Sequence, residues 1–332
     1  MAYKFYWEHT KTGGARLLRA FGSSGEIVLP AELAGYPLTE LGSYCFAPDA
    51  HLPEHYEVCS LADEPQSSDG GEWLAELSGG RVESVMLPGS VKKIGNLAFY
   101  NCTALKVLKF GHALEEIGSD AFMNCRSLHH MWLCGEEPGS CQRPSGIRRI
   151  LAQISSDMEV TFGCGGKPEA VLLFPEYSES YDEVAPAHLF GRNIEGEGFR
   201  ARQCFSDGVA DFVQYDGIFP KACAEESEQT LCRLAENRLR YPIDLRADAK
   251  ERYRTYLRTH VWTVCQEAVR ERGVERLLFL CEEGLVCREE LEKSIRLASK
   301  LEWAEGAAEL LRLTERFFPR EQKKERYSFD DF

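Results

Sequence analysis

VESVMLPGSVKKIGNLAFYNCTALKVLKFGHALEEIGSDAFMNCRSLHHMWL, residues 82–133, matches itself when shifted by 23 positions. Val85, Leu108 and Met131 fall in line, as do Leu87, Phe110 and Leu133. Ile94 falls on Ile117, Phe99 on Phe122, Cys102 on Cys125, and Leu105 on Leu128. A fixed period in the twenties marks a solenoid, because one such unit cannot bury its own apolar face. Each unit opens on an apolar-x-x-apolar-x-apolar segment: Val82–Leu87, Leu105–Phe110 and Leu128–Leu133. Its last two apolar positions are two apart and share one face of a strand. Pro88 and Gly111 end the strands. The return limb runs through Ile94-Gly95 and Ala98-Phe99, with a helical or 3₁₀ turn expected over residues 96–100. Stacked units place Phe99 on Phe122 and Leu87 on Phe110.

The run LPGSVKKIGNLAFYNCTAL resembles the BspA-like, or treponemal-type, leucine-rich repeats. The resemblance extends over roughly residues 3–135. It implies a repeat scaffold with parallel strands on the concave side and a role as a binding module. Many members of the family are secreted adhesins.

Outward from the repeats, Tyr3–Glu8 and Ala15–Phe21 flank Thr12-Gly13-Gly14 and read as a hairpin that opens the solenoid. Leu29-Pro30 and Leu41-Gly42 repeat the Leu87-Pro88 and Ile94-Gly95 steps with five extra residues around Gly35-Tyr36-Pro37. Tyr44-Cys45-Phe46 stands where Leu97-Ala98-Phe99 stands. Residues 47–80 break the register and read as an acidic insertion loop, with one helical turn over Glu72–Leu77. After Leu133 the spacing predicts a loop over Cys134–Gly146, a helix over Ile147–Ile154, and a strand at Met158–Phe162 that caps the last coil; Ala170–Phe174 reads as a further strand or as the start of the next domain. From about Pro175 the pattern turns helical: Phe205–Phe219, Glu225–Arg240, Ala247–Arg272, Glu275–Glu283, Arg288–Ser299 and Trp303–Phe317. Gly273 and Gly284 stand where helices end on a left-handed residue. These helices resemble ankyrin-like pairs weakly, since the T-P-L-H motif is absent. The fold class expected is α+β: a short leucine-rich-repeat solenoid over 1–170, then an α-helical domain over 171–332. The tail from Arg320 reads as a frayed end.

Net charge is −14, from 39 basic and 53 acidic residues. That balance disfavours nucleic-acid backbones and anionic membranes as partners. No apolar run approaches the length of a membrane span, and no secretory leader follows the N-terminus. The 13 cysteines are odd in number; Cys102 and Cys125 take the repeat's Asn-Cys step, and others, such as Cys232, Cys265 and Cys281, fall on helical patterns. They read as reduced thiols in the cytoplasm and not as a disulfide framework. A secreted adhesin is the alternative if a signal peptide was removed.

No constellation names a reaction, and no cofactor is expected. His51, His55 and Cys59 have helical ligand spacing but are interrupted by Pro53. Cys134, Cys141 and Cys164 lack a histidine at ligand spacing. Gly163–Lys167 fails as a phosphate loop, with Thr161 where glycine is required and Pro168 after the lysine. FRARQCF, residues 199–205, is basic within an acidic chain. An anion-binding or regulatory role there, around Tyr177, Tyr181, His188, Arg200 and Arg202, is the alternative to a pure scaffold.

The candidate partner-binding residues come from strand parity. The position between the last two apolar ones faces outward in each unit: Val28, Met86, Lys109 and Trp132. The neighbouring outward row includes Val107 and His130. An apolar stripe ending in tryptophan suits a protein or peptide partner. The expected function is a non-enzymatic protein-interaction scaffold with Trp132 as its anchor.

Overall fold

The computed structural model describes residues 2–62, 74–139, 142–184 and 189–319. It is an α+β chain that divides into two compact units: Met1–Glu226 with Tyr241–Arg246, and Ser227–Arg240 with the residues from Ala247 onward. The expected division at 170/171 falls inside the first unit.

Among the described residues, one main sheet of the first unit has six strands: Glu26–Val28, Ser84–Met86, Val107–Gly111, His130–Gly135, Met158–Cys164 and Lys167–Phe174. The first five are parallel, and their register carries the 23-residue period: Ser84, Val107 and His130 are partners, as are Met86, Lys109 and Trp132. Val28 pairs with Met86 at one side and Trp132 with Thr161 at the other. The last strand returns antiparallel. The inward positions Val85, Leu108, Met131 and Val160 are all buried.

The return limbs form the second main sheet. Lys93–Ile94 and Glu116–Ile117 pair in parallel, and Lys93–Ile94 also pairs with Tyr36–Leu41. Between sheets runs a column of rings. Phe46 and Phe99 stack at 5.1 Å and 11°, Phe99 and Phe122 at 5.3 Å and 8°. Gly95 and Gly118 are required beside it. A Cβ on either would stand 2.4 Å from a backbone nitrogen of the preceding unit, Ser43 or Asn96.

Residues 96–100 form a turn, closed by a 3₁₀-type bond from Tyr100 N to Leu97 O at 3.1 Å. It does not extend to an α-helix, because two of its amides bond across units: Leu97 N to Ser119 O at 3.0 Å and Phe99 N to Ala121 O at 2.8 Å. Leu97, Asn101, Asp120 and Asn124 all take positive φ. Asn and Asp tolerate that region better than most residues. The Asn-Cys step is a further ladder. Asn124 Nδ2 donates to Asn101 Oδ1 at 2.7 Å. Cys102 Sγ donates to Phe46 O at 3.3 Å and Cys125 Sγ to Phe99 O at 3.1 Å. Burial pushes the Cys125 thiol up to about 12.

The N-terminal hairpin, Ala2–His9 with Ala15–Gly22, joins the second sheet, where Ala15–Gly22 lies parallel to Tyr36–Leu41. The five extra residues close an antiparallel hairpin, Glu32–Leu33 with Tyr36–Leu41. Its turn is Ala34-Gly35, both at positive φ. The reading of 47–80 as a loop is corrected in two places. Glu57–Ala62 is a strand beside Ala2–His9, and Ala75–Glu76 pairs with Phe21 and Gly22 where a helical turn was expected. A free strand edge on the hairpin supplied backbone partners that local composition does not reveal. Residues 63–73 of this insertion, and the tail from Arg320, lie outside the described residues.

The expected helix appears as Ile147–Leu151, and the strands at 158 and 170 pair as a hairpin. Helix Phe212–Glu225 then closes the six-stranded sheet. Phe212 meets Phe162 at 6.4 Å, and Tyr215 meets Phe174 at 5.9 Å. The Tyr215 hydroxyl accepts from Leu173 N at 3.1 Å and donates to Leu173 O at 2.5 Å. Before this helix, Ser178–Val184 and Leu189–Glu195 form a two-stranded hairpin that the helical pattern missed.

The second unit holds Glu228–Arg240, Ala247–Thr259, Val261–Arg270, Val274–Glu282, Arg288–Lys300 and Ala304–Phe317. The single helix expected over 247–272 breaks at His260, whose φ is −117° and ψ 21°. Gly284 is left-handed as expected, but at Gly273 that role belongs to Arg272, φ +57°. A buried ion network joins three helices. Glu236, 2% exposed, takes Arg276 through Oε1 at 2.9 Å and Oε2 at 2.6 Å. Glu267 lies 3.6 Å from the same guanidinium.

Candidate functional site

The outward face of the six-stranded sheet gathers the residues that strand parity selected. Val28, Met86, Lys109 and Trp132 stand side by side in register, followed by Thr161 and Val171. Parallel strands set such positions about 4.8 Å apart. Exposure falls along the row. Val28 is 62% exposed and Met86 42%, Lys109 and Trp132 are half-buried, and Thr161 and Val171 are buried.

The reason lies in the residues beyond Trp132. A Cβ on Gly163 would come within 3.0 Å of Trp132 Nε1, so the missing side chain leaves room for the indole. Lys109 Nζ lies 5.4 Å over the same ring. That cation–π contact holds both side chains in place. Trp132 is thus a packed element of the face, and the most exposed apolar residue of the row is Val28 at its other end.

The second outward row runs Ser84, Val107, His130 and Glu159. Val107 and His130 are half-buried. His130 Nε2 is 3.0 Å from Thr161 Oγ1, and its ring lies 6.2 Å from that of Trp132. Burial holds the His130 imidazole below its ordinary value, which favours the neutral ring. The face therefore offers apolar contact at one end and a lysine, an indole and a neutral imidazole at the other.

The remaining sequence candidates are not brought together. His51 and His55 lie in irregular chain, while Cys59 sits in a strand opposite Phe5. Cys134 and Cys164 are on neighbouring strands but out of register, Cys164 facing Gly135. Cys141 and His188 lie outside the described residues. Among the described residues, no group of three acidic, histidine or cysteine side chains could hold a metal ion. Gly165 and Gly166, both at positive φ, make the turn of the Met158–Phe174 hairpin.

Within the basic segment, Arg202 is a structural lock. The buried Arg202 guanidinium donates to Ile154 O at 2.9 Å, Pro175 O at 2.6 Å, Gly198 O at 2.9 Å and Ser156 O at 2.6 Å. Four of its five donors are thus taken by backbone carbonyls. Arg200 pairs with the buried Glu197, and Tyr177 packs on Arg202 at 5.0 Å. Tyr181 lies apart on the 178–195 hairpin, 64% exposed. Nothing local in the sequence signals the four carbonyls that converge on Arg202.

Residues 77–136 match the family described as BspA type Leucine rich repeat region (6 copies). The match begins after the N-terminal hairpin, at the end of the insertion. Three solved structures are similar. A T. pallidum leucine-rich repeat protein is 23% identical, over 42% of this chain and 54% of that one, with a TM-score of 0.28. A leucine-rich repeat protein from Bacteroides capillosus is 23% identical, over 39% and 76%, TM-score 0.28. A leucine rich cell surface protein from Faecalibacterium prausnitzii is 18% identical, over 50% and 42%, TM-score 0.28. The chain thus spans about half the length of the first of these proteins. No curated protein matches it. No helix among the described residues is long and apolar enough to cross a membrane.

Proposed function

We propose that this chain, which carries a BspA-type leucine-rich repeat region over residues 77–136, is a non-enzymatic interaction module that binds a protein or peptide. Its repeats stack as a short solenoid, and the binding face is the outward row Val28, Met86, Lys109 and Trp132 with Val107 and His130. The observation that carries this reading is the register of that row, with two apolar side chains at 62% and 42% exposure. An acidic chain with an apolar stripe suits a polypeptide better than nucleic acid or an anionic lipid surface. We read the free thiols as those of a reducing compartment, which favours the cytoplasm.

The test is a set of full-chain variants used to capture partners from native lysate. Met86→Asp and Val28→Asp place a charge in the exposed end and should lower partner recovery at least about tenfold, with an unchanged melting temperature. Trp132→Ala should weaken binding and lower stability together, since its indole is packed under Lys109. Undiminished capture by Met86→Asp and Val28→Asp would remove this face as the binding site.

A further inference from the structure

The edges of the two main sheets are protected unequally. At one edge of the six-stranded sheet, Glu26 O accepts from the Tyr3 hydroxyl at 3.0 Å. At the other, Leu173 is bonded by Tyr215 through both N and O. In the second sheet, one edge strand is the two-residue segment Glu116–Ile117. The fourth edge, Glu57–Ala62, differs. It is six residues long and pairs with Ala2–His9 on one side only, among the described residues. It contains no lysine and no proline, the usual devices that keep an edge from pairing. Val58 is 48% exposed, Leu61 40%, and the preceding Tyr56 44%.

We propose that this edge is a self-association site, where two copies of the chain pair their Glu57–Ala62 strands antiparallel about a two-fold axis at Cys59. Residues directly opposite in an antiparallel pair point to the same face, so the axis must pass through a residue position. Centred on Cys59, Val58 stands opposite the partner's Ser60 and Glu57 opposite the partner's Leu61, and no like charges face one another. The two Val58 side chains become diagonal neighbours on the outer face, within reach of one another. That face is already apolar. Val58 lies across from Tyr6, whose ring is 5.1 Å from Phe21 and 5.0 Å from Tyr56.

Charge selects a second copy over a basic partner. The chain carries −14 overall, yet on the strands at this edge Glu8 and Glu57 are offset by Lys4 and Arg16. Glu57 Oε1 lies 2.9 Å from His9 Nε2, Glu8 pairs with Arg16 at 2.6 Å, and Lys4 Nζ rests 5.1 Å over the Tyr6 ring. A locally neutral edge neither repels its own copy nor attracts a cationic strand.

Sedimentation equilibrium of the full chain under reducing conditions, up to about 100 µM, tests this. The expected result is a dimer. Val58→Lys, which makes two lysines diagonal neighbours, and Leu61→Glu, which stands opposite the partner's Glu57, should each weaken association about tenfold or more. A short bismaleimide should join Cys59 to Cys59 by peptide mapping, and Cys59→Ser should lose that cross-link while remaining dimeric. Should a charged variant fail to fold, the mapped cross-link in the unaltered chain decides. A monomer at all concentrations, a dimer indifferent to both substitutions, or cross-links confined to other cysteines would overturn the proposal.

Discussion

Phe99 has a ring on each side, Phe46 and Phe122, and all three ring planes are nearly parallel. Its own side chain is fully buried, while Phe122 at the end of the column is 3% exposed. Removing the middle ring opens a cavity that neither neighbour can fill without leaving its own unit. Phe99→Ala should therefore cost about 3–5 kcal/mol in urea unfolding, and more than Phe122→Ala. A loss below about 1 kcal/mol would place the ring outside the column. The thiols at Cys102 and Cys125 act at the same scale. Each is small enough to sit beside a turn and polar enough to donate weakly to the preceding unit's phenylalanine carbonyl.

Among the elements, the strand edges and the turns set the limits of the repeat. The six-stranded sheet ends where Lys167–Phe174 turns back antiparallel, so a new edge appears that must be satisfied or covered. Tyr215 does both, with its ring against Phe174 and its hydroxyl on the Leu173 backbone. Tyr215→Phe keeps the ring and strands one buried amide and one carbonyl. It should cost about 1–3 kcal/mol and speed exchange of the Leu173 amide hydrogen by about tenfold or more. An amide with unaltered protection would mean that another group bonds the edge. The same accounting explains the 96–100 turn. Its Leu97 and Phe99 amides have partners in the next unit, so a continuous α-helix would forfeit those bonds and break the stack.

At the scale of the molecule, the first unit extends to Glu226 and includes residues 241–246. A chain cut at residue 170 would lose helix Phe212–Glu225 and part of the last strand. Phe162 and the sheet edge would then face water. Such a fragment should aggregate or unfold without cooperativity, whereas a fragment ending at Arg246 should unfold in one transition with near-native sheet content by circular dichroism. Cooperative folding of the 1–170 fragment would restore the boundary that periodicity alone suggests.

The sequence by itself determined what repeats. A 23-residue period in Val85, Phe99, Cys102 and their counterparts dictates parallel strands, their register and the ring column, because identical units can bury identical faces only by stacking. It also determined which side chains face outward, since strand parity is local. The helices of the second unit were legible from apolar spacing, though the break at His260 was not. Only the tertiary structure decided where non-repeating segments found partners. Glu57–Ala62 becomes a strand because a hairpin edge lies beside it, and Arg202 becomes a lock because four carbonyls converge on it. Trp132 likewise lies packed instead of standing free, because Gly163 on the next strand leaves room and Lys109 covers it. These outcomes depend on residues far apart in the chain, and no local pattern carries that information.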